Sequence, residues 1–195
     1  MKTNLSEFNE IIAFCEGHTK DYSRFDPFLH LRTDKDKGRN KEIQEERLTA
    51  DEICMIEEKD GTRAGALMDM CRKSARTKER HGNSNLFRCG AGRYDCAISW
   101  DGKMKTCQSL NHPDFIYDMR KGSLDDGWNF ISALSERKSK RKLFAEKCGS
   151  CRLANFCMWC PARGYLECGK VDMPVDLFCQ IAHARLRHFG RSPHE

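Results

Sequence analysis

The 195-residue sequence has no apolar run approaching the roughly 20 residues that a membrane-spanning helix needs. Met1 is followed by Lys-Thr-Asn and a mixed segment rather than by the apolar core of a signal peptide, so the expected location is cytoplasmic, with no membrane partner. Internal repeats and low-complexity tracts are also missing, which sets aside repeat arrays. No strong excess of one charge sign exists: the net charge of +5 is spread along the chain and gives no footprint for nucleic acid. Apolar residues are in short supply at 39% against 32% charged, with a mean hydropathy of −0.72, so the core must be lean. The length allows one domain or two small ones and leaves no room for a full barrel with an accessory module.

What the sequence has in abundance is cysteine, with twelve residues. In a reducing compartment these are poor candidates for six disulfides and better ones for metal ligation or redox chemistry. The local signals around them are ordinary. Asn4 and Glu7 have capping-box spacing ahead of Leu5, Phe8, Ile11, Ile12 and Cys15, predicting a helix that stops near Gly17. Tyr22 to Phe25 reads as a brief strand closed by Asp26-Pro27, and the charged residues 31–48 read as an exposed loop. Thr49 and Glu52 repeat the capping-box spacing before Ile53 and Ile56, which share a helix face that excludes Met55. A further helix over 64–80 carries Leu67, Met70 and Cys71, and 81–85 has the composition of a linker.

Asp101-Gly102 signals a hairpin, and a two-residue turn there would oppose Trp100 to Lys103 and Cys96 to Cys107. Two such thiols would point together from a stiff support; the plainer reading is a chance pair or a cross-strand disulfide. Downstream lies Cys148-x2-Cys151-x5-Cys157-x2-Cys160-Pro161, the most specific signal in the sequence. Two residues between ligands let both sulfurs turn onto one centre. Cys179 falls in the first turn of a helix begun near Asp176, where the helix dipole favours a thiolate. With Cys89, Cys96 and Cys107 these make eight candidate ligands, enough for two four-coordinate sites. Zinc and iron–sulfur clusters both accept four cysteines, so ligand count leaves the metal open. The five-residue gap is much shorter than the roughly 15–20 residues of a four-cysteine zinc ribbon, and Cys-Pro echoes the ferredoxin pattern. Arg88, Arg93, Lys103, Arg152 and Arg163 lie beside candidate ligands and could offset cluster charge.

Cys89, Gly102-x4-Cys107, the run from Cys148 to Cys160 and the distant Cys179 together resemble the SPASM domain, the C-terminal extension of many radical S-adenosylmethionine enzymes. The usual pattern has three residues between the last two cysteines of the run, where this chain has Met158 and Trp159. Upstream, Lys2-Thr-Asn to Glu7, Tyr22 to Pro27, Arg32 and Leu48 to Glu52 look like the last portion of the radical SAM barrel. The resemblance implies an α+β fold. Residues 1–85 would be a partial α/β remnant of the barrel with a linker, and residues 86–195 a SPASM-like module of β-hairpin and helices around two iron–sulfur clusters. It further implies that Cys89, Cys96, Cys107 and Cys160 hold one auxiliary 4Fe-4S cluster, and Cys148, Cys151, Cys157 and Cys179 a second.

The Cys-x3-Cys-x2-Cys loop that binds the S-adenosylmethionine cluster in that family does not occur here, and Cys15, Cys54, Cys71 and Cys168 cannot supply its spacing. Gln108 stands where the sulfatase-maturing branch carries an aspartate base. The expectation is therefore the C-terminal part of a peptide-modifying maturase, not active alone, with S-adenosylmethionine used only in the complete enzyme. Its partners would be a peptide or protein substrate and a chain supplying the rest of the barrel; its roles, substrate engagement and electron relay. The alternative is a cysteine-rich zinc module for nucleic-acid or protein interaction, motivated by the Cys-x2-Cys pairs and the basic run Arg137-Lys-Ser-Lys-Arg-Lys142. That run is read as one exposed helix face, with Leu134 and Phe144 burying the other side.

Overall fold

The computed structural model describes residues 1–22, 24–76 and 84–190. Among them the fold is mixed α and β, with eight α-helical segments and one small antiparallel sheet. The first 76 residues contribute helices α1 (Phe8–His18), α2 (Lys37–Glu45), α3 (Ala50–Lys59) and α4 (Gly61–Arg76). The Thr49 side chain accepts from the Glu52 backbone while the Glu52 carboxylate caps Thr49, so the capping box forms as the spacing predicts. Ile53 and Ile56 are buried on the face that leaves Met55 exposed.

Three local expectations are corrected. Glu7, without a side-chain cap bond, occupies the N-cap of α1, so the Asn4–Glu7 box does not form. No strand forms among the described residues of 22–25, which have no neighbouring strand to pair with. The charged stretch 31–48 contains α2 instead of a continuous loop. Its start is fixed by Asp36, whose side chain accepts from the Arg39 backbone, and its exposed face by Arg39–Glu42 at 2.8 Å and Lys41–Glu45 at 3.9 Å. It buries no residue, which is why no apolar stripe announces it. The segment 77–83, which holds the end of the predicted 64–80 helix and most of the linker, lies outside the described residues.

The second half carries strands β1 (Ala97–Ile98), β2 (Lys103–Lys105) and β3 (Ile116–Asp118), paired antiparallel in that order. The hairpin forms at Asp101-Gly102, but Ala97 opposes Lys105 and Ile98 opposes Met104. That register is one residue away from the predicted one and, extended, sets Cys96 opposite Thr106 instead of Cys107. The cause is a three-residue turn: Ser99 N–H bonds the Lys103 carbonyl, Gly102 N–H bonds the Ser99 carbonyl, and Gly102 takes φ +74°, the left-handed geometry of such loops.

Helix α5 (Leu124–Ser135), capped by a Ser123–Asp126 box, leads to α6 (Lys142–Phe144) and a wider turn over Ala145–Gly149. The basic run is therefore not a helix face. Its first residues run extended beside 84–86, with Leu86 N–H bonding the Arg137 carbonyl at 3.0 Å and Ser139 N–H bonding the Ser84 carbonyl at 2.8 Å. Helices α7 (Pro161–Cys168) and α8 (Asp176–Phe189) complete the chain. Helix α8 packs on α3 and α4, so Phe178 and Ile181 share a core with Phe28, Leu48 and Ile53, and Phe156 and Ala182 share one with Cys54 and Leu67. A third core, around Leu86, Phe87, Leu110, Phe115 and Phe144, supports Cys107, Cys148 and Cys160.

Candidate metal centre

Cys148, Cys160 and Cys179 are positioned by helical elements, and the other candidate cysteines lie in turns and loops. Cys148 sits in the wide turn that finishes α6, and Cys151 follows it, its N–H bonded to the Cys148 carbonyl at 3.3 Å. Cys157 lies where the two cores of the front half meet, its N–H bonded to the Leu153 carbonyl at 3.0 Å. Cys160 is the N-cap of α7, with Pro161 at the first helical position, where its missing N–H costs nothing. Cys179 is in the first turn of α8, as the sequence predicts.

These residues line one cleft of about 600 Å³, together with Cys89, Arg88, Arg93 and Lys147. Six of the eight candidate ligands thus face a common space. Burial, and then the neighbouring Cys179, Cys157 and Cys151, push the Cys148 thiol up to about 11. Cys157 is likewise pushed up to about 11, mainly by burial, with Cys179 and Cys151 adding to it and the Trp159 N–H opposing it. Cys179 is raised by burial and by Cys151, opposite to the lowering that a place in the first turn of α8 predicts. Cys151 and Cys179 thus raise both Cys148 and Cys157, and Cys151 raises Cys179. Separately, Cys160 is raised by burial and by Cys107, while backbone N–H groups of Arg163 and Ala162 at the start of α7 oppose the rise.

Cys107 and Cys96 do not line the cleft. Cys107 packs against the third core beside Cys160, and its sulfur accepts from the Ser109 N–H at 3.3 Å. Cys89 and Cys96 are exposed, at either side of the 90–95 turn. Among the described residues no three His, Cys, Asp or Glu side chains converge tightly enough to hold a single metal ion. Next to Cys107, the hydroxyl of fully buried Thr106 has no hydrogen-bond partner among those residues.

Of the cations named from the sequence, Arg93 lines the cleft, and Arg88 both lines it and reaches Cys148. It donates to the Cys148 carbonyl at 2.7 Å and favours the thiolate of both Cys148 and Cys157. Arg163 donates to the Met158 carbonyl and favours the Cys160 thiolate, while Arg93 is engaged by Glu136 at 3.0 Å. Lys103 lies in β2 and Arg152 is exposed. Sequence reasoning missed Arg185, whose buried guanidinium donates to the Phe156 carbonyl at 2.8 Å and contacts the Met158 sulfur at 3.6 Å, on both flanks of Cys157. Its only sequence signal is an arginine on the apolar side of α8.

No protein-family model matches the chain, and a search of curated proteins returns no relative.

Proposed function

We propose that this chain is a two-cluster electron-relay and substrate-binding module of a radical SAM peptide-modifying enzyme. Cys148, Cys151, Cys157 and Cys179 would hold one 4Fe-4S cluster, and Cys89, Cys96, Cys107 and Cys160 the other. The observation that carries the reading is the cleft of about 600 Å³ on which thiols from four separate segments open. Its volume suits a polynuclear group, and the donor set is the all-thiolate one such clusters take.

The second set is supported by its placement, since all four of its thiols open on that cleft. The first set fits through Cys107 and Cys160, with Cys89 on the cleft wall. Thr106 would give its buried hydroxyl a use there as a donor toward sulfur. When bound, the clusters supply one-electron oxidation and reduction. The protein's own part is to hold the thiols, aim N–H groups at sulfur, and balance negative charge with Arg88 and Arg163. The thiols must lose their protons on loading, and burial resists this at neutral pH, so the cations and N–H groups offset that cost. Cleavage of S-adenosylmethionine would need cysteines that this chain does not carry, which makes a complementary barrel-bearing chain the proposed partner.

The experiment is anaerobic reconstitution followed by counting of iron, acid-labile sulfide and zinc, with an assay for reductive cleavage of S-adenosylmethionine. The reading predicts iron and sulfide in equal amounts and no cleavage by the chain alone. Stoichiometric zinc without sulfide would replace it with the zinc-module alternative.

A further inference from the structure

The basic run that has no place in the cluster site forms one wall of a second cleft, of about 610 Å³, whose other wall is 169–172. Most of its polar groups are already satisfied from within. Asp114 faces Arg137 at 4.0 Å, and Arg137 also stacks over the Phe115 ring at 5.0 Å. Asp172 accepts from the Ser139 hydroxyl at 3.0 Å and from Arg141 at 3.1 Å, and His112 accepts the Asp114 N–H at 3.1 Å. Both carboxylates of the lining are thus neutralised. Lys138, Lys140 and Lys170 remain, and none of the three ammonium groups has a carboxylate partner among the described residues. Three like charges around one concavity raise the local concentration of anions.

We infer that this cleft is a docking site for an acidic peptide segment in extended conformation. Lys138 and Lys140 are two residues apart in an extended stretch anchored by the Asn85–Lys138 bridge, so they leave the backbone on the same side, roughly 6.6 Å apart. Alternate residues of an extended peptide have the same spacing, so carboxylates two apart would meet successive lysines. Leu86 and Val171 give the floor an apolar strip for the residues between. A compact phosphate fits less well, because the three ammonium groups come from two walls and no arginine with a free guanidinium fork joins them. Leu86 also lines the cysteine cleft, so a peptide seated here lies one side chain away from it. The docking site stands on its own charge and shape; its being the entry for the modified substrate rests on the function proposed above.

The test is titration of the full chain, metal-free and reconstituted, with a fluorescent decapeptide alternating Glu and Gly, its Gln–Gly counterpart, and inorganic phosphate. The Glu peptide is expected to bind, with affinity falling as salt rises, and the Lys138→Gln/Lys140→Gln double variant to lose at least tenfold. Lys142→Gln, an exposed lysine paired with Glu146 outside the cleft, should change binding less than twofold. Equal binding of the Gln peptide, unchanged binding by the double variant, or competition by millimolar phosphate would overturn the inference. Iron counted in the same samples separates the two claims: peptide binding without iron removes only the cluster reading, and iron without peptide binding removes only this one.

Discussion

Arg185 on α8 and Glu57 on α3, 128 positions apart, form a buried bidentate pair, with Nε to Oε2 at 2.9 Å and Nη2 to Oε1 at 2.5 Å. Arg63 adds two more bonds to the same carboxylate, at 3.0 and 2.6 Å. The pair locks the C-terminal helix to the front helices, and the same guanidinium holds the Phe156 carbonyl beside Cys157. Local stability and the placement of Cys157 are therefore linked through one side chain.

Arg185→Leu leaves the buried Glu57 carboxylate to Arg63 alone, so it should cost about 2–3 kcal/mol in urea unfolding, less than a buried charge stripped of every partner. The double variant Glu57→Leu/Arg185→Leu should lose less than Arg185→Leu alone, because partly exposed Arg63 can turn to solvent. A single-variant loss below about 0.5 kcal/mol would show that the pair does not hold the halves together.

Cys54, buried between α3 and α4 and close to Glu57, has its thiol pushed up from the usual 9.0 to about 11, chiefly by burial. A raised thiol value stabilises the fold fully below pH 9 and loses that contribution as pH rises through 11. Two units correspond to roughly 2–3 kcal/mol. The stability gap between the native chain and Cys54→Ala should therefore shrink by that amount between pH 8.5 and 11; a constant gap would refute the assignment.

Gly92 has φ +73°, and a Cβ there would lie 2.7 Å from the Ile131 carbonyl oxygen. Gly92→Ala should destabilise by about 1–3 kcal/mol and displace the 90–95 turn that spaces Cys89 from Cys96. Iron bound by the first set should fall while the second set keeps its share. Equal loss from both sets would contradict the separation of the two centres.

Arg88 places a positive charge beside Cys148 and Cys157, so Arg88→Gln should lower the reduction potential of the cluster proposed for them. Arg88→Lys should restore most of the shift. Potentiometric titration followed by paramagnetic resonance reads both, and an unshifted potential in Arg88→Gln would remove this role.

How much of this was legible in the sequence followed the range of each signal. The Thr49–Glu52 cap and the Ile53 and Ile56 face are spacings of two intervening residues and appear where the spacing puts them, and the closely spaced cysteines from 148 to 160 line one cleft. Helix α2 escaped because it is stabilised by a cap and by surface ion pairs and has no apolar face. The hairpin register failed by one residue because Asp-Gly fits a two-residue turn and a three-residue loop with left-handed glycine equally well. The basic run reads as a helix face because Leu134 and Phe144 could bury its other side, yet its pairing with 84–86 decides its path. The charge coupling of Cys107 with Cys160, the bond of Arg88 to Cys148 at 60 positions and the pairing of Arg185 with Glu57 at 128 positions join residues far apart in the chain, and no local pattern encodes them.

The central claim is two independent four-cysteine clusters. Iron and sulfide per chain, counted after anaerobic reconstitution in the native protein, in Cys148→Ala/Cys157→Ala and in Cys107→Ala/Cys160→Ala, test it most directly. The account predicts about eight iron in the native chain and about four in each double variant, with sulfide matching. Loss of all iron from both variants, or zinc in place of iron in the native chain, would contradict it.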